Sequence, residues 1–197
     1  NFTAVRVNTN GFITFTSTST GNPYSNVALP TTTLPVNSIA PYWDDLYFRT
    51  NYGTPARTSK AFWKYDGTKV VIQYKNVFQR LTTEDFNFEI LLYPNGKIVM
   101  QYLTMTGTLN NGTVGMQNTQ TTPPAKFLQM VNNGTYIKNN LAIQISRTPD
   151  WLSVTPAHSE ILPNHSAVLN VTFDSTERLG GDLIGAVVLR TNVPGQA

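Results

Sequence analysis

Apolar and polar residues alternate over short runs along most of this chain, and turn residues separate the runs. Val5 and Val7 lead to Asn10-Gly11, after which Phe12-Ile13-Thr14-Phe15 resumes the alternation. Ala61-Phe62-Trp63-Lys64-Tyr65 turns at Asp66-Gly67 into Val70-Val71-Ile72-Gln73-Tyr74, and Asp-Gly between two such runs predicts a hairpin. Phe86, Phe88, Ile90 and Leu92 fall on one strand face, Pro94-Asn95-Gly96 turns, and Ile98, Met100 and Tyr102 continue on the return. Leu91, Tyr93 and Val99 make the other face partly apolar, as in central sandwich strands covered on both sides. Residues 114–117 and 142–145 predict closing strands. Residues 17–37, with Pro23, Pro30 and Pro35, predict a long loop. No segment carries the 3.6-residue period of an amphipathic helix.

The pattern changes near residues 146–150. Trp151-Leu152-Ser153-Val154, residues 167–173 and residues 183–189 form a second set of strand signals, with Gly180-Gly181 between the last two. About fifty residues is short for an immunoglobulin-like sandwich, which takes about 100. The expected fold is therefore all-β: an antiparallel β-sandwich over residues 1–146, then a small or incomplete immunoglobulin-like module over residues 147–197.

Composition narrows the class. Only 13% of residues are charged, and Thr, Asn, Ser and Gly abound, which suits secreted β-modules. There is no cysteine, so disulfides and thiolate metal sites are excluded and a bacterial source is favoured over an animal one. No apolar run reaches the ~18 residues of a membrane span, so membrane insertion is not expected. The start on strand-like sequence, without a signal peptide, is that expected of a fragment of a longer exported chain. Residues 1–146 carry eleven Lys/Arg against six Asp/Glu, and residues 147–197 three against five. The basic residues are scattered rather than gathered in a stripe with aromatics, which argues against nucleic acid.

Ile39-Ala40-Pro41-Tyr42-Trp43-Asp44-Asp45-Leu46 holds the best candidate site, an apolar run ending in two carboxylates. Asp44 and Asp45 have the oxygen chemistry of a calcium site; the competing reading is that one caps the turn's N–H groups while the other faces solvent. Tyr42, Trp43, Tyr47, Phe48 and Tyr52 cluster around them, with Trp43 expected in the core and Tyr42 and Tyr47 at its rim. Tyr42, Asp44, Asp45, Tyr47 and Arg49 are the residues expected to touch a glycan or an extracellular protein. Glu84, Asp85 and Glu89 raise the prospect of a glycosidase-type carboxylate pair with Asp44 or Asp45, but Glu84-Asp85 reads as a solvated turn. His158 and His165 read as exposed loop residues, with no zinc spacing and no triad motif around them. Five Asn-x-Ser/Thr sequons are no more than this composition yields unaided.

With those residues in view, the first ~120 resemble nidogen-type extracellular modules and their bacterial relatives. The resemblance rests on residues 10–15, 39–46, 70–74, 88–93 with Asn95-Gly96, and 114–118. The tail is similar to bacterial immunoglobulin-like modules of the Hydin-related kind, through residues 151–156, Phe173-Asp174, residues 179–181 and residues 189–192. Such tandems occur toward the C-termini of large secreted bacterial proteins, some of them subtilisin-like peptidases. The resemblance implies a non-enzymatic accessory, adhesion or spacer region, secreted or at the cell surface, working with the rest of its parent chain. A carbohydrate-binding module using the aromatics at 42–52, and a hydrolase with unrecognised carboxylates, are the alternatives.

Overall fold

A computed structural model describes residues 2–16, 23–118, 126–146, 151–176, 185 and 187. The chain divides into two compact units, Asn1–Gln144 and Ile145–Ala197. Among the described residues every regular element is a strand, and every pairing given below is antiparallel.

The first unit is a β-sandwich. One sheet has the order β1 (Arg6–Asn8), β2 (Phe12–Thr14), β3 (Ser38–Trp43), β9 (Thr113–Gln117), β10 (Phe127–Asn132). The other has the order β11 (Leu141–Ile145), β8 (Ile98–Met105), β7 (Asp85–Leu92), β6 (Val70–Gln79), β4 (Leu46–Tyr47), and β5 (Lys60–Tyr65) also pairs with β6. The three expected hairpins form where glycine supplies a positive φ, at Gly11, Gly67 and Gly96. Asp66 Oδ1 and Asn95 Oδ1 fix two of these turns by accepting backbone N–H bonds of 2.9 and 3.0 Å from Thr68 and Lys97.

Strand β6 is long enough to serve two partners on one edge. Its residues 70–75 pair with β5 and its residues 78–79 with β4. Between them the register to β7 shifts, and Asn76 adopts a positive φ. This bulge separates the two partners. Strand β5 is exposed along its whole length.

Ile72, Tyr74, Phe86, Phe88, Ile90, Met100 and Tyr102 are buried on the inner face of the larger sheet. Leu91 and Val99 on the opposite face are buried as well, as expected of central strands. Two tyrosines cross between the sheets. The Tyr74 hydroxyl lies 2.8 and 2.9 Å from the carbonyls of Asn8 and Phe12, and the Tyr102 hydroxyl donates to the Pro41 carbonyl at 2.6 Å. Burial raises the pKa of both phenols.

Pro41 sits inside a central strand although it has no N–H to give the ladder. The register between β3 and β9 shifts between Ala40 and Trp43, so the proline occupies the irregularity. Trp43 is buried as expected, in a cluster with Phe12, Leu29, Leu34 and Ala40. Two of these come from the long loop, whose described part (23–37) is tied down by Gln117. Gln117 accepts from Thr31 N and donates to the carbonyls of Thr31 and Leu34, at 2.9 to 3.0 Å.

In the second unit, β12 (Leu152–Thr155) pairs with β13 (Asn170–Phe173), and Trp151 stacks on Phe173 with ring centroids 6.2 Å apart. The expectations for residues 147–150, 177–184, 186 and 188–197 fall outside the described residues.

Candidate functional site

Strand β3 ends at Trp43, and Asp44-Asp45 carry the chain into β4. Asp44 is 3% exposed. Its Oδ1 accepts the Asp45 N–H at 2.7 Å and its Oδ2 accepts from Gln79 Nε2 at 2.8 Å. Burial, with the nearby Asp45 and Glu84 charges, raises its pKa to about 6 against the lowering effect of those hydrogen bonds. Asp45 is half-buried and lies 3.4 Å from Arg80 Nη1, while its carbonyl accepts the Arg80 N–H at 2.8 Å. The doublet thus closes the turn and ties β4 to the end of β6. Both Asp44 oxygens already face donors and the Asp45 carboxylate faces a guanidinium, a poor start for a calcium site needing six to eight oxygens. Among the described residues no group of three or more His, Asp or Glu side chains gathers to hold a metal.

Beyond the doublet the surface becomes aromatic and cationic. Tyr47 is 52% exposed. The Arg49 guanidinium lies 4.1 Å from the Tyr52 ring centroid, 5.5 Å from that of Tyr47 and 5.6 Å from that of Phe78, within cation–π range. Tyr52 meets Phe78 edge-on at 4.8 Å. Arg57 also lies over Phe78 and forms an ion pair with Asp85. Asp85 is buried and opens β7, so the solvated turn expected there is corrected. The Arg57 guanidinium, brought back by the Tyr52–Arg57 bridge, makes that burial tolerable.

Of the five expected residues, Tyr47 and Arg49 share one accessible patch, Asp45 stands at its border and Asp44 is buried. Tyr42 is corrected: it is 1% exposed, its ring packs edge-on against Phe86 at 5.0 Å, and it offers no face to a ligand. The reason is that β3 is covered on both sides, by the larger sheet at Tyr42 and by the proline-rich loop at Trp43. Sequence reasoning missed Gln79 and Arg57 as parts of this rim, and considered Asp85 only as a solvated turn residue or a catalytic carboxylate, because each is recruited across strands rather than along one. His158 and His165 are exposed in the β12–β13 connection, and His165 Nδ1 lies 2.9 Å from the Pro163 carbonyl.

No curated protein and no solved structure matches the chain. The model of one family, described as NIDO related, matches residues 1–160. With four-fifths of its length inside that match, the chain belongs to the NIDO-related family.

Proposed function

We propose that this chain is a non-catalytic accessory or adhesion region of a larger secreted or surface protein, and that it meets an extracellular protein through the rim at Tyr47 and Arg49. Family membership supports an extracellular module. The observation that carries the reading is the rim itself: an exposed tyrosine beside an arginine held over two further aromatics. Tyr and Arg are the residues protein interfaces favour, and an arginine already ordered by ring contacts loses little entropy on binding. The neighbouring carboxylates favour recognition over catalysis, since Asp44, Asp45 and Asp85 each have a structural partner. The aromatic cluster at 42–52 gives less support to sugar stacking there, because Tyr42 is buried and Tyr52 lies beneath Arg49. We read residues 147–197 as a minimal immunoglobulin-like module and the parent as bacterial, a reading supported by the paired β12 and β13 and by the lack of cysteine.

The test is binding of the purified chain to a panel of immobilised extracellular proteins, run beside Tyr47→Ala and Arg49→Gln variants of unchanged melting temperature. Capture by a defined protein, lost in both variants, is the expected result. Capture indifferent to both substitutions, or hydrolysis of peptide or glycoside substrates by the chain alone, would overturn the reading.

A further inference from the structure

The outer face of the larger sheet carries a cleft of about 500 Å³, within the roughly 300–1,000 Å³ range of small-ligand sites. Strand register places three polar residues in a row across it. Gln73 of β6 pairs with Glu89 of β7, and Glu89 pairs with Gln101 of β8. All three alternate with buried residues of the inner face, so they point away from the core. The row begins at Phe62 of β5, the partner of Gln73, which is 46% exposed. Lys75, Leu103 and Asn140 add to the lining, and Leu103 is 66% exposed.

The chemistry of this face selects a class of ligand. The side chains of Gln73, Glu89, Gln101 and Lys75 make no hydrogen bond or ion pair with the described part of the chain, and Glu89 only feels the charge of Lys69 at longer range, so their polar atoms are available. The free amides of Gln73, Gln101 and Asn140 each donate and accept, which matches hydroxyl groups that do the same. One lysine and one glutamate leave the cleft without net charge, whereas an anionic ligand calls for an excess of cationic donors. The backbone of β6, β7 and β8 is paired within the sheet, so a ligand lying on this face meets side chains only. A peptide adding to a sheet instead needs the free backbone of an edge. Leu103 in the lining supplies apolar surface for the C–H faces of sugar rings, and Phe62 continues it outside the lining, beside Gln73. We propose that the cleft over Gln73, Glu89 and Gln101 is a binding site for a short neutral oligosaccharide. It lies on a different set of residues from the Tyr47–Arg49 rim and stands or falls separately from that reading.

The experiment screens the whole chain on an array of neutral, sialylated and sulfated oligosaccharides, then titrates the best neutral hit by two-dimensional NMR. Binding of a neutral glycan is expected, with shifts centred on the amides of Gln73, Glu89, Gln101 and Leu103. Gln101→Ala and Glu89→Gln, both on the solvent side of the sheet, are each expected to weaken it about tenfold or more while leaving the backbone spectrum in place. Absence of any neutral hit overturns the proposal, as does binding confined to acidic glycans. A neutral glycan lost in Tyr47→Ala but kept in Gln101→Ala and Glu89→Gln also overturns it, and moves the sugar to the rim. Loss of rim capture with cleft binding intact, or the reverse, tells which of the two readings has failed.

Discussion

The Tyr102 hydroxyl donates a 2.6 Å hydrogen bond to the carbonyl of Pro41, joining the two sheets at the residue whose missing N–H interrupts its own ladder. Tyr102 is 1% exposed, so water has no ready access to replace that donor. Tyr102→Phe keeps the ring and leaves a buried carbonyl without a partner, at a cost of about 1–3 kcal/mol. Tyr74→Phe deprives two carbonyls of one shared proton and should cost a similar amount. Urea denaturation of each variant, and of the double variant, measures this. Costs near zero would mean that the hydroxyls do not hold the sheets together.

Asp44 should make stability fall as pH rises through the weakly acidic range. Its folded-state pKa of about 6 lies above the ordinary 3.8, so between these values the folded chain binds more proton than the unfolded chain. The stabilising effect is complete below about pH 4 and is lost as pH climbs past about 6. Two pH steps at 1.36 kcal/mol each set a ceiling of about 3 kcal/mol. Asp44→Asn removes the titration, so the difference in unfolding free energy between native chain and variant should change between pH 4 and pH 6.5 and be flat outside it. A constant difference across that range would refute the assignment.

The Arg57–Asp85 pair is structural on this reading, with Asp85 buried and Arg57 about one-third exposed. Asp85→Asn should destabilise the fold by about 1–3 kcal/mol, less than for a fully buried pair because the guanidinium keeps some water. Arg57→Ala should cost a comparable amount. A double-mutant cycle should give a coupling of about 1 kcal/mol or more; additive losses would show that the two side chains act independently.

The sequence discloses local structure far better than it discloses partners. Asn10-Gly11, Asp66-Gly67 and Asn95-Gly96 each announce a backbone conformation that glycine alone adopts readily, so the hairpins were legible. Strand β10 (Phe127–Asn132) was not, because Phe127-Leu128-Gln129-Met130-Val131-Asn132 lacks alternation and its pairing with β9 contains a register shift. The burial of Tyr42 was hidden for a different reason. Alternation around Pro41 suggests that one of Tyr42 and Trp43 faces outward, yet the loop at 23–37 covers the second face of β3 and the anchoring Gln117 lies more than 80 residues away. The polar row Gln73–Glu89–Gln101 was present in the alternation of three strands. Only their register sets it in line.

Gly11 and Gly67 separate backbone strain from steric collision. Both have positive φ, +77° and +92°. A methyl group at Gly11 would collide with the Tyr42 carbonyl, whereas at Gly67 it meets nothing within 4 Å. Gly67→Ala should therefore cost only the left-handed backbone penalty, about 1 kcal/mol. Gly11→Ala adds a displacement of β3 where Tyr42 N donates to Gly11 O at 3.3 Å, and should cost at least about 3 kcal/mol. Thermal unfolding of the two variants side by side decides this, and equal losses would mean that β3 yields freely.

Calcium should leave the chain's stability unchanged if Asp44 and Asp45 serve the turn. A ligand bound only by the folded state raises stability by about 2.7 kcal/mol at a concentration 100 times its dissociation constant, which thermal unfolding detects easily. The comparison is between EDTA and millimolar calcium for the native chain and for Asp45→Asn. Asp45 is the informative position, since its carboxylate is the more accessible of the two and its Arg80 partner, at 3.4 Å, is loosely held. Coincident melting curves are the expected result. A calcium-dependent rise abolished in Asp45→Asn would instead mean that the ion displaces Arg80 and recruits backbone carbonyls of the turn, making the doublet a metal site after all.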